Sequence, residues 1–170
     1  ILRFSVGQVG ERMRITLIIS SFGAGGAERA MSVMANYWAE HGAQVTLITM
    51  ASDGHDFYTL IPSVRRIGLG VLNPSKTLHE RVWNNINRMR VLRRSVIHSE
   101  PDVVISFGDT TNVTTLLAMW GKFYPIIICE QIDPRKYSIG RVWDLLRRAF
   151  YARATALVVV SQAMATEWAP

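Results

Sequence analysis

The sequence has 170 residues, about the length of one domain, and 49% hydrophobic against 19% charged residues excludes a disordered chain. No apolar run approaches the roughly 18 residues of a membrane-spanning helix, so none is predicted. The single cysteine, Cys129, leaves no internal disulfide and lies in an apolar run, which predicts a buried core residue. The net charge of +6 favours an anionic partner: nucleic acid, a phosphorylated ligand or an anionic lipid surface.

Apolar runs and helical repeats alternate along the chain after residues 1–12, which we expect to be a leader outside the domain. In chain order the patterns predict a strand at 13–19, a glycine loop, a helix at 27–41, strands at 44–50 and 63–69, a helix at 76–99, a strand at 101–107, a helix at 111–120, a strand at 125–131, a helix at 141–153, a strand at 156–161 and a short helix capped by Ser161. This alternation predicts an α/β domain over 13–170, a three-layer, Rossmann-like doubly wound parallel sheet.

Such sheets bind ligands beyond the carboxyl ends of their strands, and the first of these ends is the glycine loop GAGGAER. Gly25 and Gly26 allow close backbone approach, and the helix N-terminus that follows favours an anion. The spacing fits neither the dinucleotide fingerprint nor the phosphate loop of NTPases. A phosphate site and a tight turn without ligand both remain open. Glu28 in the first turn either complements the helix dipole or binds sugar hydroxyls.

The next polar strand end is the stretch DTTN, which follows the strand at 101–107. It offers four hydrogen-bonding side chains: Asp109, Thr110, Thr111 and Asn112. Asp109 or Thr110 is expected to cap the next helix, and a cap needs only one of them. The four side chains therefore either cap the helix alone or cap it and also bind a polyol.

A third polar strand end follows residues 125–131. Glu130 is the carboxylate best placed to act as a general base or to contact a substrate. Gln131, Asp133 and Arg135 follow within the same loop. The alternative is a solvated turn fixed by Asp133 and the proline after it.

The helix predicted at 76–99 is strongly basic, with Glu80 the one acid between Leu78 and His98. Its arginines are Arg81, Arg88, Arg90, Arg93 and Arg94. Arg93 falls within the apolar stripe, so it should need a buried partner or an exit to solvent. The others either bind phosphates through their guanidinium groups or belong to an ordinary surface helix. No nucleic-acid-binding signature accompanies the charge, so nucleic acid is not an expected partner. The four histidines lie far apart, so no metal site is expected.

Together, GGAER after the first strand, SFGDTTN and IIICEQIDP resemble the N-terminal half of a family 4 glycosyltransferase over residues 13–170. They are most similar to the bacterial subgroup that adds GalNAc-type sugars to lipid-diphosphate-linked oligosaccharides. The resemblance implies a GT-B architecture, in which two Rossmann-like domains face a cleft and bind the acceptor and the nucleotide sugar. It implies retaining transfer from a nucleotide sugar, a UDP-sugar above all, without a cofactor or essential metal. It also implies a cytoplasmic protein, peripheral on the inner face of the cell membrane.

The resemblance also implies roles for single residues. Gly25 and Gly26 would lie near the donor diphosphate, and Glu130 would be catalytic. The acceptor sugar would meet Glu28, Asp109, Thr110, Thr111, Asn112, Gln131 and Arg135. The lipid phosphate or the membrane would meet Arg81, Arg88, Arg90 and Arg94. Many relatives of this family have a histidine or arginine where this sequence has Gln131. This difference makes Glu130 the more favoured candidate for the catalytic role.

The family's second domain, which holds the nucleotide sugar, is not expected within these residues, so this chain is expected to be inactive alone. Two other functions stay open: a non-catalytic module that binds a nucleotide or phospho-ligand, and a domain of a sugar-nucleotide epimerase, which shares the two-domain fold.

Overall fold

The computed structural model describes residues 13–54, 56–132, 138–162 and 164–165. The leader predicted at residues 1–12 and the predicted site residue Arg135 lie outside these ranges.

In the described part of the chain, six parallel strands form one sheet in the order β3-β2-β1-β4-β5-β6. The strands are β1 (Arg14–Ile19), β2 (Gln44–Thr49), β3 (Arg65–Gly68), β4 (Val103–Phe107), β5 (Ile126–Glu130) and β6 (Ala156–Val159). The helices are α1 (Gly26–Glu40), α2 (Leu78–His98), α3 (Asp109–Ala118) and α4 (Arg141–Phe150), followed by a 3-10 turn at Tyr151–Arg153. The predicted doubly wound parallel sheet is confirmed.

The sheet is covered by helices on both faces, as its continuously apolar strands require. On one face, Leu17 and Leu47 of the central strands pack with Met31 and Ala35 of α1. On the other, their neighbours Ile18 and Ile48 join residues of α2 and α3 in a second core. Successive residues of a strand point to opposite faces, so each central strand supplies both cores.

Two predicted helix boundaries were wrong. Helix α3 begins at Asp109, and its N-cap is Gly108 rather than Asp109 or Thr110. Gly108 has a φ of 91°, a conformation that glycine adopts without strain, so the chain turns into the helix directly after β4. The helix predicted at 141–153 ends at Phe150 and tightens into the 3-10 turn.

Helix α2 is longer than the sheet beneath it. Its 21 residues span roughly 30 Å, whereas the five residues of β4 span roughly 17 Å. Its buried residues, Leu92 and Val96, lie in the second half, while Leu78 and Trp83 in the first half are exposed. The first half therefore extends past the packed core at the carboxyl edge of the sheet.

Specific hydrogen bonds explain where α2 begins and why Arg93 is tolerated in its apolar stripe. Thr77 caps the helix and Glu80 completes a capping box, so the one acid of this segment stabilises the first turn. Arg93 Nη1 donates to the carbonyl oxygens of Ala118 and Trp120, at 2.6 and 2.9 Å. The expectation that Arg93 needs a partner is confirmed.

Replacing a leucine by alanine should have different effects on stability in the two halves of α2. Leu92 is 0% exposed, so Leu92→Ala should lower the free energy of unfolding by about 2–5 kcal/mol. The matched control Leu78→Ala, at a residue 72% exposed, should change it by no more than about 0.5 kcal/mol. Urea denaturation of both variants measures this difference, and equal losses would mean that the first half of α2 is packed.

Candidate functional site

The strand order reverses its direction between β1 and β4, which lie side by side with Ile18 opposite Ser106. The chain leaves β1 toward α1 on one face and leaves β4 toward α3 on the other. The loops therefore diverge and open a crevice at the carboxyl edge, which is where sheets of this kind bind ligands. The glycine loop and the DTTN stretch form its two sides.

A small cavity of about 20 Å³ lies at this edge, about the room of one water molecule. It is lined by Ser20, Met50, Leu72, Arg88, Thr110, Thr111 and Thr114. The lining brings one guanidinium group together with four hydroxyl groups, one from the residue after β1 and three from α3. Of these residues, the sequence indicated only Arg88, Thr110 and Thr111. Ser20 directly follows β1, and that position was the signal that could have identified it.

Arg88 is turned toward this cavity and is half-buried. Its Nη1 donates to Asn85 Oδ1 at 3.2 Å, while its Nε is buried and has no hydrogen-bond partner in the described residues. Burial lowers the pKa of the Arg88 guanidinium, although arginine stays charged at neutral pH. A buried donor without a partner is costly, so this N–H is available to an acceptor atom of a ligand.

The glycine loop is held by the segment after β2, which the sequence did not identify. Tyr58 donates its hydroxyl to the Gly25 carbonyl at 3.1 Å, and the Phe57 N–H donates to the Phe22 carbonyl at 2.9 Å. Arg66 anchors the same segment through two hydrogen bonds to the Asp56 carboxylate. The residues that hold the loop lie more than thirty positions later in the sequence, so no local sequence pattern reveals these contacts.

Gly25 and Gly26 have different surroundings. Gly25 is the N-cap of α1, and a methyl group on it would collide with the Glu28 carboxylate. A methyl group on Gly26 would meet open space. The Glu28 carboxylate thus lies at the positive end of the α1 dipole, the first of its two predicted roles.

The four DTTN side chains do not share one environment. Asp109 and Thr110 are half-exposed at the crevice, whereas Thr111 and Asn112 are buried. Asn112 Nδ2 donates to the Cys129 carbonyl at 3.0 Å and to the Tyr151 hydroxyl at 3.5 Å. Asn112 therefore faces the interior between α3 and β5, away from any sugar in the crevice.

Glu130 is 1% exposed at the end of β5. Its Oε2 accepts a hydrogen bond from the Tyr151 hydroxyl at 2.6 Å, and its Oε1 accepts the Gln131 N–H at 3.3 Å. Burial raises the pKa of Glu130, and the charge of Asp109 adds to this, while the Tyr151 hydrogen bond opposes it. The Glu130 carboxylate is therefore not open to solvent or substrate in this structure, and the turn predicted at Asp133 lies outside the described residues. Gln131, by contrast, is half-exposed beside Glu130.

Cys129, the residue before Glu130, is buried as predicted. Burial raises the pKa of its thiol to about 12, with a smaller contribution from the charge of Glu130. The thiol is therefore protonated at neutral pH, which makes it a core residue rather than a nucleophile.

Three other arginines of α2 were predicted to bind a phosphate or a membrane: Arg81, Arg90 and Arg94. They are exposed and form no ion pair within the described residues. Beside them, five α2 side chains line an apolar cavity of about 450 Å³, which we call the α2 apolar patch: Leu78, His79, Val82, Trp83 and Ile86. Arg90 lies one turn beyond Ile86 on the same side of the helix. The first half of α2 therefore carries an exposed apolar surface bordered by free positive charge.

No helix in the described part of the chain has the length and apolar character needed to cross a membrane. No three His, Cys, Asp or Glu side chains in it are grouped as ligands for a metal ion.

The strand order and the crevice define a Rossmann-like α/β domain with a ligand site at its switch point. The fold is similar to that of sucrose-phosphate synthase from Thermosynechococcus elongatus, with a TM-score of 0.72 and 14% sequence identity. This match covers 92% of the chain and 45% of the synthase.

The sequence model of Glycosyltransferase Family 4 matches residues 24–170, and the chain belongs to this family. The chain is also 34% identical over 149 residues to a protein of Campylobacter jejuni, GalNAc-alpha-(1->4)-GalNAc-alpha-(1->3)-diNAcBac-PP-undecaprenol alpha-1,4-N-acetyl-D-galactosaminyltransferase. That alignment covers 87% of this chain and 40% of the relative, so the chain spans less than half of the relative's length. The family predicted from GGAER, SFGDTTN and IIICEQIDP is confirmed.

The raised pKa of Glu130 predicts how stability depends on pH. Well below pH 4.5, its ordinary pKa, Glu130 is protonated in most folded and unfolded molecules. Between that value and the raised pKa, the native state holds a proton that the unfolded chain has lost. The free energy of unfolding therefore falls as pH rises through this window and levels off above the raised pKa.

Glu130→Gln should remove this fall, because the amide does not titrate. Thermal denaturation between pH 4.5 and 8 should show the Tm of the wild type decreasing relative to that of the variant as pH rises. Glu40→Gln, at an exposed carboxylate near the end of α1, controls for the loss of a charge. Parallel Tm profiles for wild type and Glu130→Gln would contradict the burial effect.

Proposed function

We propose that this chain is the acceptor-side half of a retaining glycosyltransferase that moves a sugar from a nucleotide sugar to a lipid-diphosphate-linked glycan. The observation that carries the proposal is the 34% identity to a GalNAc-transferase whose name specifies an undecaprenol diphosphate acceptor. The family match over residues 24–170 supports it and disfavours the binding module and the epimerase. The donor would be held mainly by a second domain, in the 60% of the relative that this chain does not span.

On the donor side, the N-terminus of α1 would approach the diphosphate of a UDP-sugar. Space is open at Gly26, whereas the Glu28 carboxylate lies against Gly25, so the diphosphate would come closest at Gly26. The N–H groups and dipole of α1 would stabilise the charge that develops on the departing nucleotide. No cofactor besides the nucleotide sugar enters this proposal.

On the acceptor side, the crevice wall supplies groups of the right chemistry. Asp109, Thr110 and Gln131 are half-exposed there and would bind sugar hydroxyls. Arg88 presents a buried N–H that has no partner among the described residues, and it lines the same cavity as Ser20. A phosphate oxygen of the acceptor would satisfy this donor, and a guanidinium group is well suited to bind it. Arg88 would therefore bind the acceptor inside the crevice rather than the membrane surface.

Helix α2 would place the crevice next to the membrane that holds the acceptor lipid. The α2 apolar patch and the exposed arginines beside it have the composition of a helix that lies in a membrane interface. Apolar side chains would enter the headgroup region, while Arg90 and Arg94 would contact anionic lipids on the inner face of the cell membrane.

The transferase proposal is tested with the full-length protein that carries this sequence, UDP-GalNAc, and the acceptor named for the Campylobacter relative. Release of UDP that requires the acceptor and yields an extended glycan means transfer. Conversion of UDP-GalNAc into another UDP-sugar would mean an epimerase, and binding without turnover would mean a binding module. Arg88→Ala should lower kcat/KM roughly 10- to 100-fold, the worth of a hydrogen bond to a charged group. Arg148→Ala, at an exposed arginine of α4, is the control.

The membrane proposal is tested by sedimentation with vesicles of phosphatidylcholine, with or without phosphatidylglycerol. Arg90→Ala combined with Arg94→Ala should weaken binding to the anionic vesicles about 30-fold, at about 1 kcal/mol for each arginine. Trp83→Ala should weaken binding to both kinds of vesicle, because it removes apolar contact. Arg29→Ala, exposed on α1, is the control. Unchanged partitioning of the double variant would contradict the membrane role of α2.

A further inference from the structure

Four segments of the chain meet around the buried carboxylate of Glu130. Glu130 ends β5, Asn112 comes from α3, Arg147 from α4 and Tyr151 from the 3-10 turn. Tyr151 donates to Glu130, Asn112 donates to the Tyr151 hydroxyl, and Asn112 also donates to the carbonyl of Cys129. These bonds form a closed ring, which we call the Glu130 ring, because Cys129 is covalently joined to Glu130.

The Glu130 ring lies directly behind the crevice. Its carboxylate accepts backbone hydrogen bonds from Gln131 and Ile132, the first two residues after β5. Asn112 lies in the first turns of α3, whose half-exposed residues Asp109 and Thr110 form the other side of the crevice. The ring thus ties the backbone beside Gln131 to the N-terminus of α3, although none of its own side chains reaches the surface.

Within the part of the chain that the structure describes, no charged group neutralises Glu130 by direct pairing. Arg147, from α4, forms its ion pair with Asp144 at 2.8 Å and acts on Glu130 only through space. Asp109 of α3 opposes ionisation, and Cys129 and Tyr151 both keep their protons, since burial raises the pKa of each. Burying a carboxyl group is costly even when it is hydrogen-bonded, and apolar packing of the same volume is often as stable or more so. Fold stability alone therefore does not account for it.

We propose that Glu130 is a positioning residue, which holds Gln131 and the start of α3 in place through the Glu130 ring and does not touch the reacting sugar. This inference rests on the proposed transfer function, because it assigns the ring to the wall against which the acceptor binds. It differs from a general base in one measurable respect. A positioning residue needs only a hydrogen-bond acceptor for Tyr151, whereas a base needs a group that can take up a proton.

The test uses Glu130→Gln, Glu130→Ala and Tyr151→Phe in the full-length protein that carries this sequence. Glu130→Gln keeps an oxygen for Tyr151, so its kcat with UDP-GalNAc and the acceptor should stay within about fivefold of wild type. Glu130→Ala and Tyr151→Phe should raise the acceptor KM roughly 5- to 10-fold. A loss of roughly 100-fold or more in kcat for Glu130→Gln would show a general base and overturn the proposal. Tyr37→Phe, at an exposed tyrosine of α1, is the control.

Hydrogen exchange measured by mass spectrometry separates this inference from the proposed function, because it needs no substrate. In Tyr151→Phe, the amides of 130–132 and of the first turns of α3 should exchange faster, whereas in Glu130→Gln, which keeps the oxygen for Tyr151, those of α3 should stay protected. Unchanged exchange in Tyr151→Phe would overturn the positioning role even if transfer is observed. If the wild type transfers no sugar, the proposed function fails. The exchange data would still show whether the Glu130 ring positions the backbone of 130–132 and the start of α3. If Tyr151→Phe does not fold, the kcat and the amide protection of Glu130→Gln decide it.

Discussion

The central position of β1, hydrogen-bonded to β2 on one side and to β4 on the other, is the constraint on which the rest of the structure depends. Because the chain builds outward from β1 in both directions, the loops after β1 and β4 must leave toward opposite faces. The crevice follows from this divergence. Gly26 of the glycine loop and Asp109 of the DTTN stretch are separated by 83 positions in the sequence. The two segments nevertheless face one another, because the strands that precede them are neighbours in the sheet.

Polar groups at this edge then divide according to depth. Asp109, Thr110 and Gln131 remain accessible, while Asn112 and Glu130 are withdrawn into the layer between the sheet and α3. A ligand meets only the outer group, and the inner group fixes where the outer one stands. The arginines of α2 divide in a similar way, since Arg88 faces the crevice, Arg93 bonds to carbonyl groups at the end of α3, and Arg81, Arg90 and Arg94 face solvent. Under the proposed function, this one basic helix would serve both the acceptor and the membrane.

Most of the fold was predictable from local pattern, and much of the candidate site was not. The apolar strands and the amphipathic helices have periods that are visible within ten residues. No such period reveals which side chains contact the site residues, because Tyr151 lies 21 residues from Glu130 and Tyr58 lies 33 residues from Gly25. Asp109 was expected to cap α3 because acids commonly do so, but the positive φ of Gly108 starts the helix one residue earlier. Burial at the end of a strand likewise depends on what packs there.

By itself the sequence determined the α/β class, the order of the elements and the family, and it indicated polar strand ends as candidate ligand sites. These follow from residue periodicity and short motifs, which are properties of contiguous segments. Only the tertiary structure decided that Glu130 and Asn112 are interior, that Arg88 turns inward and that the described residues leave the start of α2 exposed. Each of these outcomes depends on which distant segments fill the space around a side chain, and the free energy of burying a polar group is set by those neighbours.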